Sequence, residues 1–208
     1  MKLWQKQVLI YASIFVFLLL VLLIFPSVDY ALTLSLQNIK SNFMDSSMKW
    51  VTSIGSGIVV FFVMSALFLY EERKRRWILP LWLGFALASV LVFLLKIIML
   101  RERPFEVFGL PALSAFSVWN SSFPSWHAAM AFSALPVLDK EFSKIKIFWI
   151  IFALLIVISR VYLLYHFVSD VITGALIGYF SGFLFMKIWE KRVKGMDKNK
   201  IKTQSRKK

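Results

Sequence analysis

Four long stretches of the sequence contain no charged residue. They run from Val8 to Phe25, from Val51 to Tyr70, from Trp77 to Leu95 and from Val171 to Met186. Each approaches the roughly 20 residues that an α-helix needs to cross a bilayer. We therefore predict a membrane-spanning helix in each of them.

Two less regular segments, at about 125–138 and 147–164, complete the pattern. Counting them gives six spans, packed as a helical bundle because backbone groups in lipid must be hydrogen-bonded within the protein. The predicted fold class is an all-α membrane protein, with one six-span domain at 1–190 and a basic tail at 191–208. No convincing cleavage site follows the first apolar run, so we expect that run to remain as the first span.

The composition agrees with a membrane protein. Of the 208 residues, 59% are hydrophobic and 17% are charged, whereas ordinary globular chains have about 25% charged residues. The chain has no cysteine, which excludes disulfides and thiolate metal sites.

Lysine and arginine are concentrated on one side of the predicted bundle. If both termini share a side, the segments 1–7, 71–76, 139–146 and the tail from about 187 hold 19 of the 25. Cytoplasmic loops are enriched in these residues, so we predict cytoplasmic termini in a plasma membrane. The net charge of +14 then reflects topology. We expect the tail to lie on an anionic lipid surface, and we expect no nucleic-acid partner.

A few ionisable residues interrupt the apolar sequence near the ends of the predicted spans. A charge at mid-membrane costs roughly 2.5–3.5 kcal/mol, so such residues usually face a wet cavity or one another and mark function. They are Lys96, His127, Arg160, His166 and Asp170. All five fall at predicted outer span ends, so we expect them to gather at the outer face.

The spacing of His166 and Asp170 suggests a working pair. They are four residues apart, so on a helix they would share a face and the carboxylate could fix the tautomer of the imidazole. Such a histidine can act as a nucleophile or a base. The alternative is a buried polar pair that ties two spans together.

Several cations near these residues point to an anionic ligand. Lys96 and Arg103 are seven apart and would share a face if the helix continues that far, whereas Arg101 is expected to extend to the interface. Guanidinium groups match phosphate oxygens bidentately. A phosphate is therefore the expected ligand.

A helix start is predicted close to these cations. Pro124 suits the first turn of a helix, with Ser122 or Phe123 near the cap position. The free N–H groups of such a start, with Ser125 beside them, would favour an anion.

Three motifs of the chain resemble the signature of the type 2 phosphatidic acid phosphatase family. They are "KIIMLRERP" at 96–104, "PSWH" at 124–127 and "SRVYLLYHFVSD" at 159–170, against K-x6-RP, PSGH and SR-x5-H-x3-D in the family. Their order and spacing also agree. Among the members, the chain looks most similar to the bacterial phosphatidylglycerophosphatase B type and its undecaprenyl pyrophosphate phosphatase relatives.

The resemblance implies a metal-independent lipid phosphatase that needs no cofactor. His166 would be the nucleophile, Asp170 would orient it, and His127 would be the general acid and base. The expected phosphate-binding residues are Lys96, Arg103, Ser125, Trp126 through its backbone N–H, and Arg160. Trp126 stands where the family has glycine, so it is expected to wall the headgroup pocket or restrict which headgroups enter.

The substrate is the open part of this prediction. The resemblance favours phosphatidylglycerophosphate, which would be hydrolysed to phosphatidylglycerol at the outer face, and undecaprenyl pyrophosphate is the alternative substrate. A non-catalytic lipid-phosphate carrier or scaffold is a third hypothesis. The aromatic segment 105–123 is expected to lie in the interface and help admit the lipid chain. The oligomeric state is not predicted.

Overall fold

The computed structural model describes residues 24–109 and 121–205, with Ser13, Phe17 and Leu20 of the opening segment, and describes side chains as far as Val193. Most of the predicted first span, positions 110–120 of the aromatic segment and the side chains of most of the tail lie outside this description.

The described ranges are almost entirely helical and contain no strand, which confirms the all-α prediction for this part of the chain. Short 3-10 turns lie at Leu36–Ile39 and Glu72–Trp77. The helices are α1 (Pro26–Ser35), α2 (Asn42–Ile54), α3 (Gly57–Tyr70), α4 (Ile78–Met99), α5 (Pro104–Val107), α6 (Trp126–Ser133), α7 (Leu135–Glu141), α8 (Ser143–Tyr162) and α9 (Val168–Ser205).

Three stretches of the described residues are long and apolar enough to cross a membrane by themselves. They are Glu72–Val107, Ser143–Tyr162 and Val168–Val193. The first and third contain the predicted third and sixth spans, and the second contains all but the end of the predicted fifth span. A fourth exists among these residues only if α2 and α3, which meet at a bend of 56°, count as one broken span.

The bend corrects the prediction of an uninterrupted helix from Val51 to Tyr70. Gly55 is the C-cap of α2, and Ser56 is the N-cap of α3, where its hydroxyl accepts a hydrogen bond from the Val59 N–H at 3.3 Å. Serine at an N-cap satisfies an otherwise free backbone donor. Gly55 therefore ends one helix and Ser56 starts another inside the apolar run.

The predicted span at 125–138 is also divided. It forms α6 and α7, which have eight and seven residues and are separated at Ala134. Pro136 lies in the first turn of α7. A proline is tolerated there because the N–H it lacks would have no partner within the helix. Inside a continuous helix the same proline would remove a backbone hydrogen bond, so α6 ends before it.

Glycines on one face of α9 allow it to pack very closely against α6. A Cβ at Gly178 would lie 2.0 Å from the carbonyl oxygen of Ala129, and one at Gly182 would lie 2.0 Å from that of Ser133. With Gly174 they form a repeat of small residues every fourth position, a common device in membrane helix packing. The backbone of α6 is therefore held directly against α9.

The main apolar core joins α3, α4, α7 and α8 with Met130 of α6 and Met186 of α9, and two smaller clusters lie outside it. Trp149 anchors α8 to α6 by donating from its indole Nε1 to the Ala131 carbonyl at 2.8 Å. Large side chains such as Phe62 and Phe148 are exposed on the outside of the bundle, as expected where a helix faces lipid rather than water. The core thus leaves one end of α4, α6, α8 and α9 free to build a polar site.

Candidate active site

A cavity of about 500 Å³ lies where the end of α4 meets α6 and the turn between α8 and α9. We call it the cationic cavity. Six of the eight predicted site residues line it, beside the apolar or small side chains of Ser89, Val90, Val92 and Phe93. The six are Lys96, Arg103, Trp126, His127, Arg160 and His166. Ser125 and Asp170 are fully buried and do not line it.

Lys96 and Arg103 reach the cavity from different segments rather than from one helical face. Helix α4 ends at Met99, and Leu100 adopts a left-handed conformation with φ of 43°. Arg103 is extended and precedes α5. The expectation of a shared helix face is therefore wrong, because the helix stops before Arg103, yet the chain reversal still brings both cations together.

Both cations are held by main-chain oxygens. The buried Lys96 ammonium donates to the carbonyl of Ser121, and the Arg103 guanidinium donates to the carbonyl of Tyr165 at 3.3 Å. Both of these acceptors are neutral carbonyl oxygens, and both side chains also line the cavity. An anion in the cavity would be strongly attracted.

Arg160 is 8% exposed and carries a free donor. One of its terminal nitrogens donates to the Thr52 hydroxyl at 2.8 Å, and its guanidinium lies 4.5 Å from the centre of the Tyr165 ring. Its Nε is buried and finds no hydrogen-bond acceptor among the residues that the structure describes. Leaving such a donor unpaired is costly, so an oxygen-rich ligand in this cavity would relieve it.

Ser125, and not Ser122 or Phe123, caps helix α6. Its hydroxyl accepts from the Ala128 N–H at 3.5 Å, and its own N–H donates to the carbonyl of Asp170 at 3.0 Å. Pro124, joined to Phe123 by a cis peptide bond, precedes the cap. The predicted cap position is therefore wrong. The Ser122 hydroxyl is engaged elsewhere, which leaves Ser125 to take that place.

His166 lies in the turn before α9, so the premise that it shares a helical face with Asp170 is wrong. Its Nδ1 lies 2.7 Å from the carbonyl oxygen of Ser122 and 3.7 Å from Oδ2 of Asp170. Because a carbonyl can only accept, the geometry assigns the ring proton to Nδ1 and the lone pair to Nε2. The residue is 2% exposed.

Burial lowers the pKa of His166 well below its usual 6.5, and the charges of Arg160 and Arg103 lower it further. The imidazole is therefore neutral at neutral pH. A neutral ring with a free Nε2 lone pair is the form that a nucleophile requires.

Asp170 supports this arrangement through other groups. Its Oδ2 accepts from the hydroxyl of Ser122 and from the N–H of Phe167, the latter at 2.8 Å. Since the same Ser122 presents its carbonyl to His166, the carboxylate fixes the residue that contacts the imidazole. Asp170 can therefore orient His166 indirectly, through Ser122, which is the role predicted for it.

Arg101 does not extend to the interface, contrary to expectation. It donates to Oδ1 of Asp170 at 2.7 Å and to Oδ2 of Asp29 at 2.8 Å, and its guanidinium lies 4.1 Å from the Phe167 ring centre. The hydrogen bonds that Arg101 makes to two buried carboxylates outweigh the solvation of its guanidinium at the interface, because hydrogen bonds between charged groups are stronger than those between neutral ones.

Asp29 is a buried part of the site region that the sequence reasoning missed. It is fully buried on α1. It is also the first acidic residue of the chain and interrupts an apolar stretch, so the criterion that selected the other intruding charges would have found it. Its partners, 72 and 140 residues away, have no such local signal.

Trp126 separates the cationic cavity from a second cavity. Its indole Nε1 donates to Ser89 Oγ at 3.0 Å, and its ring fills the space beside Gly57, where a Cβ would lie 2.6 Å from it. The second cavity, of about 350 Å³, is lined by Trp126, Ser89 and mainly by apolar side chains such as Phe61 and Trp82. We call it the apolar cavity. Trp126 is the wall between the two.

Comparisons with known proteins agree with the motifs. A model of the PAP2 superfamily matches residues 77–194, more than half of the chain and a range that contains all three motifs. An undecaprenyl-diphosphatase of Sulfolobus acidocaldarius is 33% identical over 130 residues, which are 62% of this chain and 63% of that protein. The match thus spans less than two thirds of that relative.

Two solved structures are also similar. LpxE of Aquifex aeolicus has a TM-score of 0.62 and 32% identity, covering 76% of this chain and 93% of that one. A PAP2-type phosphatidylglycerolphosphate phosphatase of Bacillus subtilis has a TM-score of 0.68 and 26% identity, covering 86% and 94%.

Proposed function

Because this chain belongs to the PAP2 superfamily, we propose that it is a membrane lipid phosphatase that hydrolyses phosphatidylglycerophosphate to phosphatidylglycerol through a phosphohistidine at His166. Phosphatases of this family hydrolyse phosphate monoesters or pyrophosphates. The observation that carries the proposal is the cationic cavity, which places a neutral imidazole among three cations beside apolar side chains. That combination suits a phosphate attached to a lipid.

The first step forms a bond between Nε2 of His166 and phosphorus and breaks the bond from phosphorus to the lipid oxygen. His127 donates a proton to that leaving oxygen, and the lipid alcohol departs. Nδ1 keeps its proton and its hydrogen bond to Ser122 throughout, so the ring becomes positively charged as the bond forms. Asp170 stabilises that charge.

The second step returns the enzyme to its starting form. Water attacks phosphorus, His127 now accepts its proton, and the bond between His166 and phosphorus breaks to release inorganic phosphate. Throughout both steps the phosphoryl oxygens are held by Lys96, Arg103, Arg160 and the N–H of Trp126. Ser125, also predicted to bind phosphate, does not line the cavity and supports the site by capping the start of α6. Catalysis of this kind is chiefly positioning and electrostatic stabilisation.

Location and topology are part of the proposal. The enzyme lies in the plasma membrane as a six-span bundle over 1–190, with cytoplasmic termini and the active site on the outer face. The distribution of lysine and arginine supports this orientation. The basic tail at 191–208 lies on the anionic inner leaflet.

Undecaprenyl pyrophosphate is the second candidate substrate, because the relative from Sulfolobus acidocaldarius is named an undecaprenyl-diphosphatase. The cavity residues would hold the terminal phosphate of either lipid in the same way. An active site on the outer face would meet this carrier lipid where its diphosphate form is released.

The test compares purified full-length protein with His166→Ala in the release of phosphate from both lipids and from phosphatidic acid. The control is Phe180→Ala, which changes a lipid-facing side chain on α9. We expect His166→Ala to lose at least about 10³-fold in kcat, with the control within about twofold of wild type. The ratio of kcat/KM for the three lipids identifies the preferred one.

Two further measurements complete this test. Lipid bound and moved across the bilayer without phosphate release would support the carrier or scaffold instead. Chelators should leave the rate unchanged, because three cations around the histidines would repel a metal ion. A rate abolished by chelation and restored by one metal would refute the mechanism.

A further inference from the structure

Helix α1 supplies two buried polar side chains to the beginning of α9. Asp29 and Thr33 are both fully buried. The Thr33 hydroxyl donates to the main-chain oxygen of Asp29 at 2.8 Å and accepts from the Val168 N–H at 3.4 Å. An element outside the three motifs therefore contacts the helix start that carries Asp170.

The carboxylate of Asp29 caps α9 from another part of the chain. Its Oδ1 accepts from the Ser169 N–H at 3.0 Å, and its Oδ2 accepts from the Ser169 hydroxyl at 2.5 Å. Free N–H groups at a helix start, and the helix dipole, both favour a negative charge in this place. This cap fixes the first turn of α9, to which Asp170 belongs.

Arg101 joins this cap to Asp170. It donates from one terminal nitrogen to Asp29 and from the other to Asp170 Oδ1 and to the Ser169 hydroxyl, at 2.8, 2.7 and 2.7 Å. Two carboxylates share one guanidinium, so the cluster of Asp29, Arg101 and Asp170 carries a net charge of −1 if both carboxylates are ionised. We call it the carboxylate cluster.

The carboxylate cluster ends at the nucleophile. Asp170 accepts from the Ser122 hydroxyl, and the Ser122 carbonyl accepts from His166 Nδ1. Hydrogen bonds therefore link Asp29 through Arg101 and Asp170 to the Ser122 hydroxyl, and the carbonyl of the same residue contacts the imidazole. When both carboxylates are ionised, the negative charge of the cluster lies on the Nδ1 side of the ring.

We propose that Asp29 and Arg101 are positioning residues of the phosphatase, which act through Asp170 and Ser122 to hold His166 and to stabilise its positive charge when the phosphohistidine forms. This inference rests on the proposed function. Neither residue lines the cationic cavity, so their effect is on the chemical step rather than on phosphate binding.

The kinetic test is Asp29→Asn, which keeps the shape of the side chain and removes its charge. Asp29→Asn makes the cluster neutral, and Arg101 is then drawn more strongly to Asp170, which weakens the hold of Asp170 on Ser122. We expect kcat to fall at least about tenfold, with KM within about twofold because the phosphate-binding cations do not contact Asp29. The matched control is Asp139→Asn, an exposed carboxylate paired with Lys146, which should leave both constants within about twofold of wild type.

A second readout does not depend on activity. The chain has only two histidines, so protein labelled with ring-15N histidine and purified without a histidine tag gives four ring-nitrogen signals. We expect one ring in the wild type to be the Nδ1–H tautomer with a hydrogen-bonded Nδ1. Asp29→Asn should shift that Nδ1 signal, and Asp139→Asn should leave it in place.

These measurements separate the two proposals. If the wild type releases no phosphate from any lipid, the proposed function fails, while the histidine signals still decide the positioning role. If Asp29→Asn is folded and keeps wild-type kcat and wild-type signals, or changes KM alone, the positioning role is overturned.

Ser169→Ala covers the case in which Asp29→Asn does not fold. It removes one hydrogen bond from Asp29 and one from Arg101 without changing any charge. It should lower kcat about threefold or more with KM unchanged. An unchanged kcat would overturn the inference.

Discussion

Replacing Gly178 with alanine tests whether the close packing of α9 against α6 sets the geometry of the cationic cavity. A Cβ at this position would lie 2.0 Å from the carbonyl oxygen of Ala129, whereas real Cβ atoms essentially never approach another atom closer than 3.0 Å. The obstacle is backbone rather than a flexible side chain. In a close-packed interior the two helices must therefore separate by at least about 1 Å at this level.

That separation should reach the two histidines that are proposed to be catalytic. Ala129 lies two residues after His127 on α6, so His127 moves with it relative to His166. A misplacement of about 1 Å between reacting groups can cost about 10²-fold in rate, and overpacking costs about 1–3 kcal/mol in stability. We expect Gly178→Ala to lose about 100-fold in kcat and to melt at a lower temperature in detergent.

Gly84→Ala is the graded control for this experiment. Its Cβ would meet the Gly182 Cα at 3.0 Å and the Ser133 hydroxyl at 3.3 Å, contacts that small adjustments can relieve. Its kcat should stay within about threefold of wild type. Alanine also favours a helix over glycine by about 1 kcal/mol. A Gly178→Ala protein with a higher melting temperature and wild-type kcat would therefore refute the reasoning.

Three other substitutions or conditions give further checks. Trp126→Gly should connect the cationic and apolar cavities and change the ratio of kcat/KM between phosphatidylglycerophosphate and undecaprenyl pyrophosphate; an unchanged ratio would contradict its role as a wall. Arg160→Lys should raise KM at least about tenfold, because an ammonium lacks the planar arrangement of donors that can bind Thr52 and a phosphate together. Thr52→Val should raise KM less than about threefold. Equal effects of the two substitutions would count against phosphate binding by Arg160. Lowering the pH below about 6.5 should lower the melting temperature, because burial depresses the pKa of His166 in the folded protein and the ring gains a proton on unfolding. The melting temperature of His166→Asn should fall less over the same pH range. An equal fall in both proteins would contradict the assignment of this effect to His166.

The sequence allowed several spans and most of the cavity to be predicted because both leave local signals. Hydropathy is a property of a continuous stretch, so the apolar runs at 77–95, about 147–164 and 171–186 pointed to the candidate spans Glu72–Val107, Ser143–Tyr162 and Val168–Val193 that they overlap. Lys96, His127, Arg160 and His166 were found because ionisable residues are rare in such sequence, whereas Trp126 was found only through the family resemblance. Their convergence followed from topology alone.

The breaks in the helices were not predicted because they depend on single polar or cyclic residues inside apolar runs. Ser56 starts a new helix within a stretch that hydropathy treats as continuous, and Pro136 does the same after α6. A mean hydropathy over many residues hardly changes with one such position. The end of a helix, in contrast, is decided by the backbone hydrogen bonds of single residues.

The glycine repeat of α9 shows a signal that was present and unused. Gly174, Gly178 and Gly182 are each four residues apart, the spacing that lets two membrane helices approach closely. The pairing of Arg101 with Asp29 is different in kind. It joins residues 72 positions apart, and no periodicity or local composition reveals which carboxylate a given arginine will reach.

The site places opposite charges on the two sides of one imidazole. Three cations line the cavity with His166, and the carboxylate cluster reaches its Nδ1 edge through Ser122. In the proposed reaction, a phosphate entering the cavity would meet the cations first, so those residues would contribute mainly to binding. The ring would become positive only when its bond to phosphorus forms, so the carboxylate side would contribute mainly to the chemical step, as expected for groups that act on charge developing in the transition state. It follows that substitutions on the cationic side should appear first in KM and those on the carboxylate side in kcat, a division that neither a binding protein nor a purely structural polar cluster would produce.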